Sequence, residues 1–273
     1  MTNLDLTSEY RYIISNEYVI ELRRIIESVV RFNYKNFLNR KNYMLAKLND
    51  AIKKGEVDKY IIPHLNLLNS MYFCFTTSSC SGRILLIDAP LIGPKYESEK
   101  VRIWHQLADY EEVKASIENY EPKNILWLKF DSFIIAFSVA SMEWAEFFLK
   151  AARLLNLKDS GIRSINPRAG FINMDLTSTE KMHLPVRTRN GILVDDNYLR
   201  NVVIIANFMM QKNLLKLDML RHTLEILHSW LGNNNSPPPL DILKPAISEY
   251  RTALTELERR QEDLLRTLQS YRG

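Results

Sequence analysis

The chain has 273 residues, a size at which folding buries roughly three quarters of the surface exposed by the unfolded chain. Hydrophobic residues make up 46% and charged residues 25% of the sequence, which argues against a disordered or collagen-like protein. The net charge is +4, and no apolar run approaches the roughly 18 residues needed to cross a bilayer, so we expect a cytoplasmic protein with no membrane partner.

The first part of the chain is predicted to be helical. Residues 17–54 contain neither Pro nor Gly and place apolar residues at helical spacing, which predicts one or two helices ending at Gly55. Residues 17–59 carry ten Lys and Arg against six acidic residues. This basicity suits a polyanionic partner, although a solvated helix face produces the same balance.

The middle of the chain, residues 71–190, is predicted to be rich in strands. Short β-prone runs separated by turn residues occupy 71–77, 84–87, 101–105, 125–130, 133–139, 171–176 and 184–187. Helices are predicted over 110–118 and from Ser141 to about Leu155. We therefore predict an α/β (α+β) fold with a central mixed sheet and helical cover.

Two amphipathic helices are predicted at the C-terminus. Asp195 is a suitable N-cap for a helix that continues to about Leu231, where an Asn/Pro-rich linker interrupts the pattern. Residues 240–273 then repeat apolar side chains at alternating steps of four and three. This spacing predicts either an antiparallel hairpin of the two helices or a homodimer contact through the last one.

One segment, 75–84 (FTTSSCSGRI), has a composition typical of ligand binding. Small residues let backbone N–H groups approach an anion, hydroxyl groups donate hydrogen bonds, and an arginine adds a planar charged fork. A tight hairpin that tolerates Ser and Gly explains the composition equally well. Cys80 has no neighbouring histidine in the sequence and is interpreted as a turn residue rather than a nucleophile. The candidate cradle comprises Ser78, Ser79, Cys80, Ser81, Gly82 and Arg83.

Other motifs leave alternatives open. The sequence has no Gly-rich dinucleotide fingerprint and no P-loop, and its five histidines show no compact metal spacing, so no metal ligand is predicted. Lys129 and Asp131 lie two residues apart in a strand, which predicts either a charged patch on one sheet face or an edge ion pair. Arg40 and Lys41 alternate with aromatic residues, as in surfaces that stack RNA bases, but aromatics at helical spacing are also typical of a core.

Together these stretches resemble the tRNA wybutosine-synthesizing protein 3 family over residues 36–230. The resemblance rests on residues 54–58, 75–84, 105, 128–131, 159–162, 184–186, 198 and 206–207. The chain departs from the family pattern at two positions: Ala136 stands where a histidine is expected, and Thr177 where an arginine is expected.

The resemblance implies a methyltransferase that uses S-adenosylmethionine, without a Gly-rich Rossmann fold, and acts on N-4 of a demethylwyosine-type base at position 37 of tRNA(Phe). It implies the anticodon stem-loop as partner. We expect a catalytic domain at 1–232, most similar to the family over 36–230, followed by an amphipathic helix at 240–273 that lies outside the resemblance. The two departures leave a non-catalytic tRNA-binding paralogue as the alternative. We expect Asp58, His105 and Asp131 to be catalytic, residues 78–83 to bind the cofactor, and the substrate to be contacted by Lys129, Ser160, Asn207, Arg40 and Lys41.

Overall fold

The structure is a computed structural model that describes residues 33–93 and 97–270, with the side chains of the last helix described to residue 263. In chain order the elements are α1 (Tyr34–Lys53), α2 (Ile62–Ser70), β1 (Cys74–Cys80), β2 (Arg83–Ala89), β3 (Glu99–Trp104), α3 (Tyr110–Glu118), β4 (Ile125–Asp131), β5 (Ile134–Val139), α4 (Met142–Leu154), β6 (Gly161–Asn166), β7 (Phe171–Thr177), β8 (Lys181–Thr188), β9 (Gly191–Ile192), α5 (Asp196–Leu231), a short 3₁₀ turn (Leu240–Leu243) and α6 (Lys244–Ser270). No helix in these ranges is long and apolar enough to span a membrane.

Helices begin where capping residues satisfy free backbone N–H groups. Asp195 accepts a hydrogen bond from Tyr198 N at the start of α5, and Ser141 accepts one from Trp144 N at the start of α4. Gly55, with φ +71°, follows the end of α1. These helix boundaries agree with the sequence predictions, while the part of the predicted N-terminal helices before residue 33 lies outside the described residues.

The strands form two sheets, and every described strand pair is antiparallel. One sheet has four strands in the order β1-β5-β7-β6, and the other has five in the order β3-β2-β4-β8-β9. The α/β class is confirmed, but the expected single mixed sheet is replaced by two antiparallel sheets. The chain passes between them through short links at 81–82, 132–133 and 178–180, because strands adjacent in sequence end in different sheets.

The helix α5 joins the two hydrophobic cores. Its first half packs against the five-stranded sheet and α3, and its second half against the four-stranded sheet with α2 and α4. Burying each apolar side chain contributes roughly 1.5–3 kcal/mol, so this helix holds both layers together. The buried residues of its first half include Leu199, Val203, Ala206 and Met210, and those of its second half include Leu217, Leu220, Leu224 and Leu227.

The last two helices form an antiparallel hairpin within the chain. The Nδ1 atom of His222 in α5 lies 2.9 Å from Glu249 Oε2 in α6, and Tyr250 is buried against the core. Further along, Leu257 of α6 lines a groove with Gln211 of α5. The predicted helical hairpin is therefore confirmed, while a homodimer through α6 stays a prediction.

Candidate active site at the junction of the two sheets

Asn213 of α5 fixes two of the three links between the sheets. Its side chain is fully buried, with Nδ2 donating to Ser81 O at 2.7 Å and Oδ1 accepting from Phe133 N at 2.7 Å. Gly82 adopts φ +92°, and a Cβ atom there would lie 2.7 Å from Asn213 Nδ2. Only glycine therefore satisfies both the backbone conformation and the close approach of the asparagine.

A buried ion pair holds the third link. Lys216 is fully buried in α5, and its Nζ lies 2.8 and 2.9 Å from the two carboxylate oxygens of Glu180. Burial raises the pKa of Glu180, but hydrogen bonds from Lys216 and Ser178 outweigh it and bring the pKa to about 2. Ser132 Oγ in turn donates to Ser178 O at 2.9 Å. All three links are thus bonded into one network centred on α5.

The serine-rich segment forms a β-bulge in β1. Thr76 pairs with Phe137 and Ser79 with Ile135, so Thr77 and Ser78 together oppose the single residue Ala136. The buried Ser79 Oγ has no hydrogen-bond partner among the described residues. The bulge therefore offers backbone groups outside the strand ladder and one free hydroxyl, which favours the cradle interpretation over a plain hairpin turn.

Asp58 and His105 meet beside this bulge. Asp58 Oδ2 accepts hydrogen bonds from the backbone N and the Oγ of Ser81, both at 3.0 Å. Its Oδ1 lies 3.2 Å from His105 Nε2, and His105 Nδ1 lies 3.1 Å from Gly82 O. Burial raises the pKa of the adjacent Cys80 thiol. Two predicted catalytic residues thus lie beside the end of the predicted cradle, in contact with Ser81 and Gly82.

The third predicted catalytic residue, Asp131, lies across the same link. Arg83 Nε is 3.6 Å from Asp131 Oδ2, and His183 Nε2 is 3.6 Å from Asp131 Oδ1. Strand register places Arg83 opposite Asp131 and Lys129 opposite His183, so these four side chains share one face of the five-stranded sheet. The charged patch predicted for Lys129 and Asp131 is present, and Arg83 and His183 lie beside it on the two adjoining strands.

Four of the predicted substrate residues lie away from this charged patch, and three of them are at or near the surface. Asn207 hydrogen-bonds the backbone N and O of Ala108 and so fixes the loop that carries His105, while Ser160 Oγ accepts from Thr177 N at 3.0 Å. Arg40 is exposed on α1, and its guanidinium carbon lies 5.2 Å from the ring centroid of Tyr43. These three are placed at or near the surface of the described structure.

Lys41 is placed differently from the expectation. Its side chain is only 8% exposed, and the ammonium group donates to Met71 O. Burial lowers the pKa of this group. Lys41 therefore points into the protein rather than toward a substrate, because its position on α1 faces β1 and α2 while Arg40 faces solvent.

The sequence reasoning missed the residues that hold the junction. Asn213 occupies an otherwise apolar position of the α5 pattern, and this polar interruption was the available signal. Lys216 and Glu180 gave no comparable signal because charged residues are common on helices and in turns. Thr177 Oγ1 donates to Phe133 O at 2.8 Å, so the residue at this departure from the family pattern also bonds to the junction.

The chain is similar to one family of known proteins over most of its length. The family model described as Methyltransferase TYW3 matches residues 39–226. A relative from Thermococcus sibiricus is 34% identical over 193 residues, covering 71% of this chain and 96% of that protein. A relative from Methanocaldococcus jannaschii is 31% identical over 195 residues, covering 71% of this chain and 94% of that protein. Both are named tRNA(Phe) 7-((3-amino-3-carboxypropyl)-4-demethylwyosine(37)-N(4))-methyltransferase.

A solved structure leads to the same family. The PH1069 protein from Pyrococcus horikoshii superposes with a TM-score of 0.66 at 34% identity, covering 71% of this chain and 98% of that chain. The family match includes the whole junction from Asp58 to Lys216 and ends within α5, before α6 begins. The resemblance predicted from the sequence is confirmed, and the chain belongs to the TYW3 methyltransferase family.

Proposed function

We propose that this protein transfers a methyl group from S-adenosylmethionine to N-4 of a demethylwyosine-type base at position 37 of tRNA(Phe), in the cytoplasm. The names of the relatives support the reaction. One observation supports the choice of the site: Asp58, His105 and Asp131 lie with the serine bulge at the junction of the two sheets.

The serine bulge suits the amino-acid end of the cofactor. A carboxylate needs several hydrogen-bond donors, and the free Ser79 hydroxyl and the bulge backbone at Thr77 and Ser78 provide them. Arg83 adds a positive charge at the end of the same segment, and its buried Nε has no hydrogen-bond partner among the residues that the structure describes. When bound, S-adenosylmethionine supplies an already activated methyl group at its sulfonium centre.

The protein has two further tasks in this reaction. It must align the acceptor nitrogen with the methyl group while excluding water, and it must accept the proton that the ring nitrogen carries. Among the three candidates, Asp131 is the most available acceptor, because its neighbours Arg83 and His183 lie 3.6 Å away, beyond direct hydrogen-bond distance. Asp58 already accepts two hydrogen bonds from Ser81. We therefore assign proton acceptance to Asp131.

The same patch suits the rest of the target base. The base named for the relatives carries a 3-amino-3-carboxypropyl group, which has both a carboxylate and an amine. Lys129 and Arg83 match the carboxylate in charge, and Asp131 matches the protonated amine. Ser160 and Asn207 would then act by fixing the backbone around the pocket rather than by touching the base.

The exposed face of α1 is the proposed contact for the anticodon stem-loop. Arg40 and Tyr43 border a shallow depression of about 480 Å³ that also includes Asn36, Asn39 and Phe171. Arginine pairs with backbone phosphates, and an exposed tyrosine ring can stack on an unpaired base. Anticodon-loop bases are single-stranded, so extruding one into the junction costs little unstacking energy.

The deciding experiment measures methyl incorporation from labelled S-adenosylmethionine into tRNA(Phe) that lacks the N-4 methyl. We expect wild type and the control Asn201→Ala to be active. Among the described residues, the Asn201 amide bonds to Asn197 O of the same helix. Asp131→Asn should lower kcat by roughly 100-fold or more, the scale of general-base catalysis. Ser79→Ala should raise KM for the cofactor. Equal turnover in wild type, Asp131→Asn and Ser79→Ala would contradict this assignment of the site.

A tRNA-binding protein without catalysis is the second candidate. Ala136 lies directly opposite the bulge, where the family pattern has a histidine, and Thr177 replaces an arginine at the junction. This candidate predicts tight tRNA binding by wild type with no methyl incorporation, and activity gained in Ala136→His. Methyl incorporation by wild type would rule it out.

A further inference from the structure

We propose that Asp58, Cys80 and His105 form a metal site that selects zinc. One ligand atom from each residue lies within 4.8 Å of the other two. The three residues come from the loop before α2, the end of β1 and the loop after β3. Their separation in sequence, by 22 and 25 positions, hides the site from any motif search.

The two ring nitrogens of His105 face different groups. Its Nδ1 lies 3.1 Å from Gly82 O, a backbone acceptor. Its Nε2 lies 3.2 Å from Asp58 Oδ1. A ring nitrogen and a carboxylate oxygen at that distance can share a metal ion as ligands. A metal ion there would also bind the nearby Cys80 sulfur.

The surrounding hydrogen bonds are those that orient metal ligands. A ligating histidine typically donates its other N–H to a backbone carbonyl, as His105 does to Gly82. A ligating carboxylate is typically held through its second oxygen, and Asp58 Oδ2 accepts from the backbone N and Oγ of Ser81. Asn213 fixes Ser81 and Gly82 in turn, through its bond to Ser81 O and its contact with Gly82. The ligands are thus held by a buried support.

The donor set identifies the metal. Zinc binds sulfur, nitrogen and oxygen donors at bond lengths of about 2.0–2.3 Å. In a tetrahedral site these bond lengths place the ligand atoms roughly 3.3–3.7 Å from one another. The 3.2 Å separation of Asp58 Oδ1 and His105 Nε2 is within about 0.1 Å of this range. The Cys80 sulfur lies within 4.8 Å of both atoms, so it needs to move by about 1 Å at most. Magnesium and calcium prefer oxygen donors alone.

Three protein ligands leave a fourth position open, as in catalytic zinc sites. The His105 side chain is 41% exposed, so water or a substrate atom can reach that position. Metal binding would occupy the lone pairs of Asp58 and His105, which leaves Asp131 as the acid-base residue of the junction. The metal site goes beyond the proposed methylation, and either can hold without the other.

Cobalt(II) titration of the full chain, after treatment with a chelator, tests the site. We expect one equivalent to produce visible bands of tetrahedral cobalt and a near-ultraviolet thiolate charge-transfer band, both displaced by zinc. Cys80→Ser should abolish the charge-transfer band. Asp58→Asn and His105→Ala should each weaken binding by about 10-fold or more. Matched controls are Cys74→Ala, a buried cysteine outside the cluster, and His228→Ala, which contacts Ser70.

Two results would overturn the proposal. One is the absence of a Cys80-dependent band, with a cobalt dissociation constant weaker than about 0.1 mM. The other is a band that persists in Cys80→Ser or disappears in Cys74→Ala. In either case Asp58, Cys80 and His105 do not form the metal site. Urea midpoints of all variants, measured in parallel, separate loss of metal binding from loss of folding, and Cys80→Ala provides a second substitution at the sulfur position.

Discussion

Replacing Asn213 by alanine tests whether one buried amide holds the two sheets in register. The substitution removes both hydrogen bonds, to Ser81 O and from Phe133 N. Each buried backbone group left without a partner costs about 1–3 kcal/mol, so the expected loss is about 2–6 kcal/mol, and water entering the vacated space sets the lower end. A loss of this size is a large fraction of the roughly 5–15 kcal/mol by which domains are stable.

Urea unfolding measures this loss directly. We take an m-value of about 3 kcal/mol per molar urea and a loss of ~4 kcal/mol in the free energy of unfolding, the middle of the expected range. The urea midpoint should then fall by about 1.3 M while the m-value stays unchanged. The melting temperature should fall by roughly 8–16 °C. Methylation should fall too, because Ser81 and Gly82 position Asp58 and His105.

Asn201→Ala is the matched control on the same helix. Within the described part of the chain its side chain bonds to Asn197 O alone, one turn earlier in α5, so its removal should change stability by less than about 0.5 kcal/mol. If Asn213→Ala unfolds within about 0.5 kcal/mol of Asn201→Ala, the reasoning that places the junction under the control of Asn213 is wrong.

Three further predictions follow from the buried charges and the tail. The Glu180 pKa of about 2 lies below its ordinary 4.5, so its stabilisation is complete above pH 4.5 and is lost as the pH falls toward 2. We expect about 1–3 kcal/mol of acid-sensitive stability, measured as urea midpoints between pH 7 and 3, and Glu180→Gln should remove that dependence. Arg40→Ala should reduce the slope of log affinity for tRNA against log salt concentration by about 1. Lys41→Met should leave this slope unchanged and lower the free energy of unfolding by ~1–3 kcal/mol. Equal slopes for wild type and Arg40→Ala would show that α1 does not contact the RNA. Deleting residues 237–273 should lower the melting temperature, because α6 covers part of α5. The oligomeric state measured by sedimentation should not change. A dimer that becomes a monomer on deletion would instead show that α6 also joins two chains.

Local patterns in the sequence were sufficient to predict the helices and to single out the segment 75–84 as a candidate for ligand binding. Capping at Asp195 and Ser141 and the stop at Gly55 depend on hydrogen bonds and backbone angles within a few residues, so they can be predicted without the fold. The family, too, could be recognised from sequence, because segment 75–84 is long and keeps its own residue order.

The pairing of the strands depended on contacts between distant residues. Alternation of apolar and polar residues predicts that a run is a strand, but it does not say which strand lies beside it or whether the next one joins the same sheet. The links at 81–82 and 132–133 carry the chain from one sheet to the other, and nothing in their composition distinguishes them from ordinary hairpin turns.

The candidate site shows the same division. Asp58, the 78–83 segment, His105 and Asp131 were all named from the sequence, because they are among the residues that carry the family resemblance. Their arrangement was decided by Asn213, Lys216 and Glu180, which lie up to 158 positions from Asp58 in the sequence; α5 brings the first two to the junction, where Lys216 binds Glu180 of the third link. The same folding turned the side chain of Lys41 inward and left that of its neighbour Arg40 in solvent. Sequence determines which groups are available, whereas their distances, partners and exposure depend on which surfaces pack together, and that depends on the whole chain.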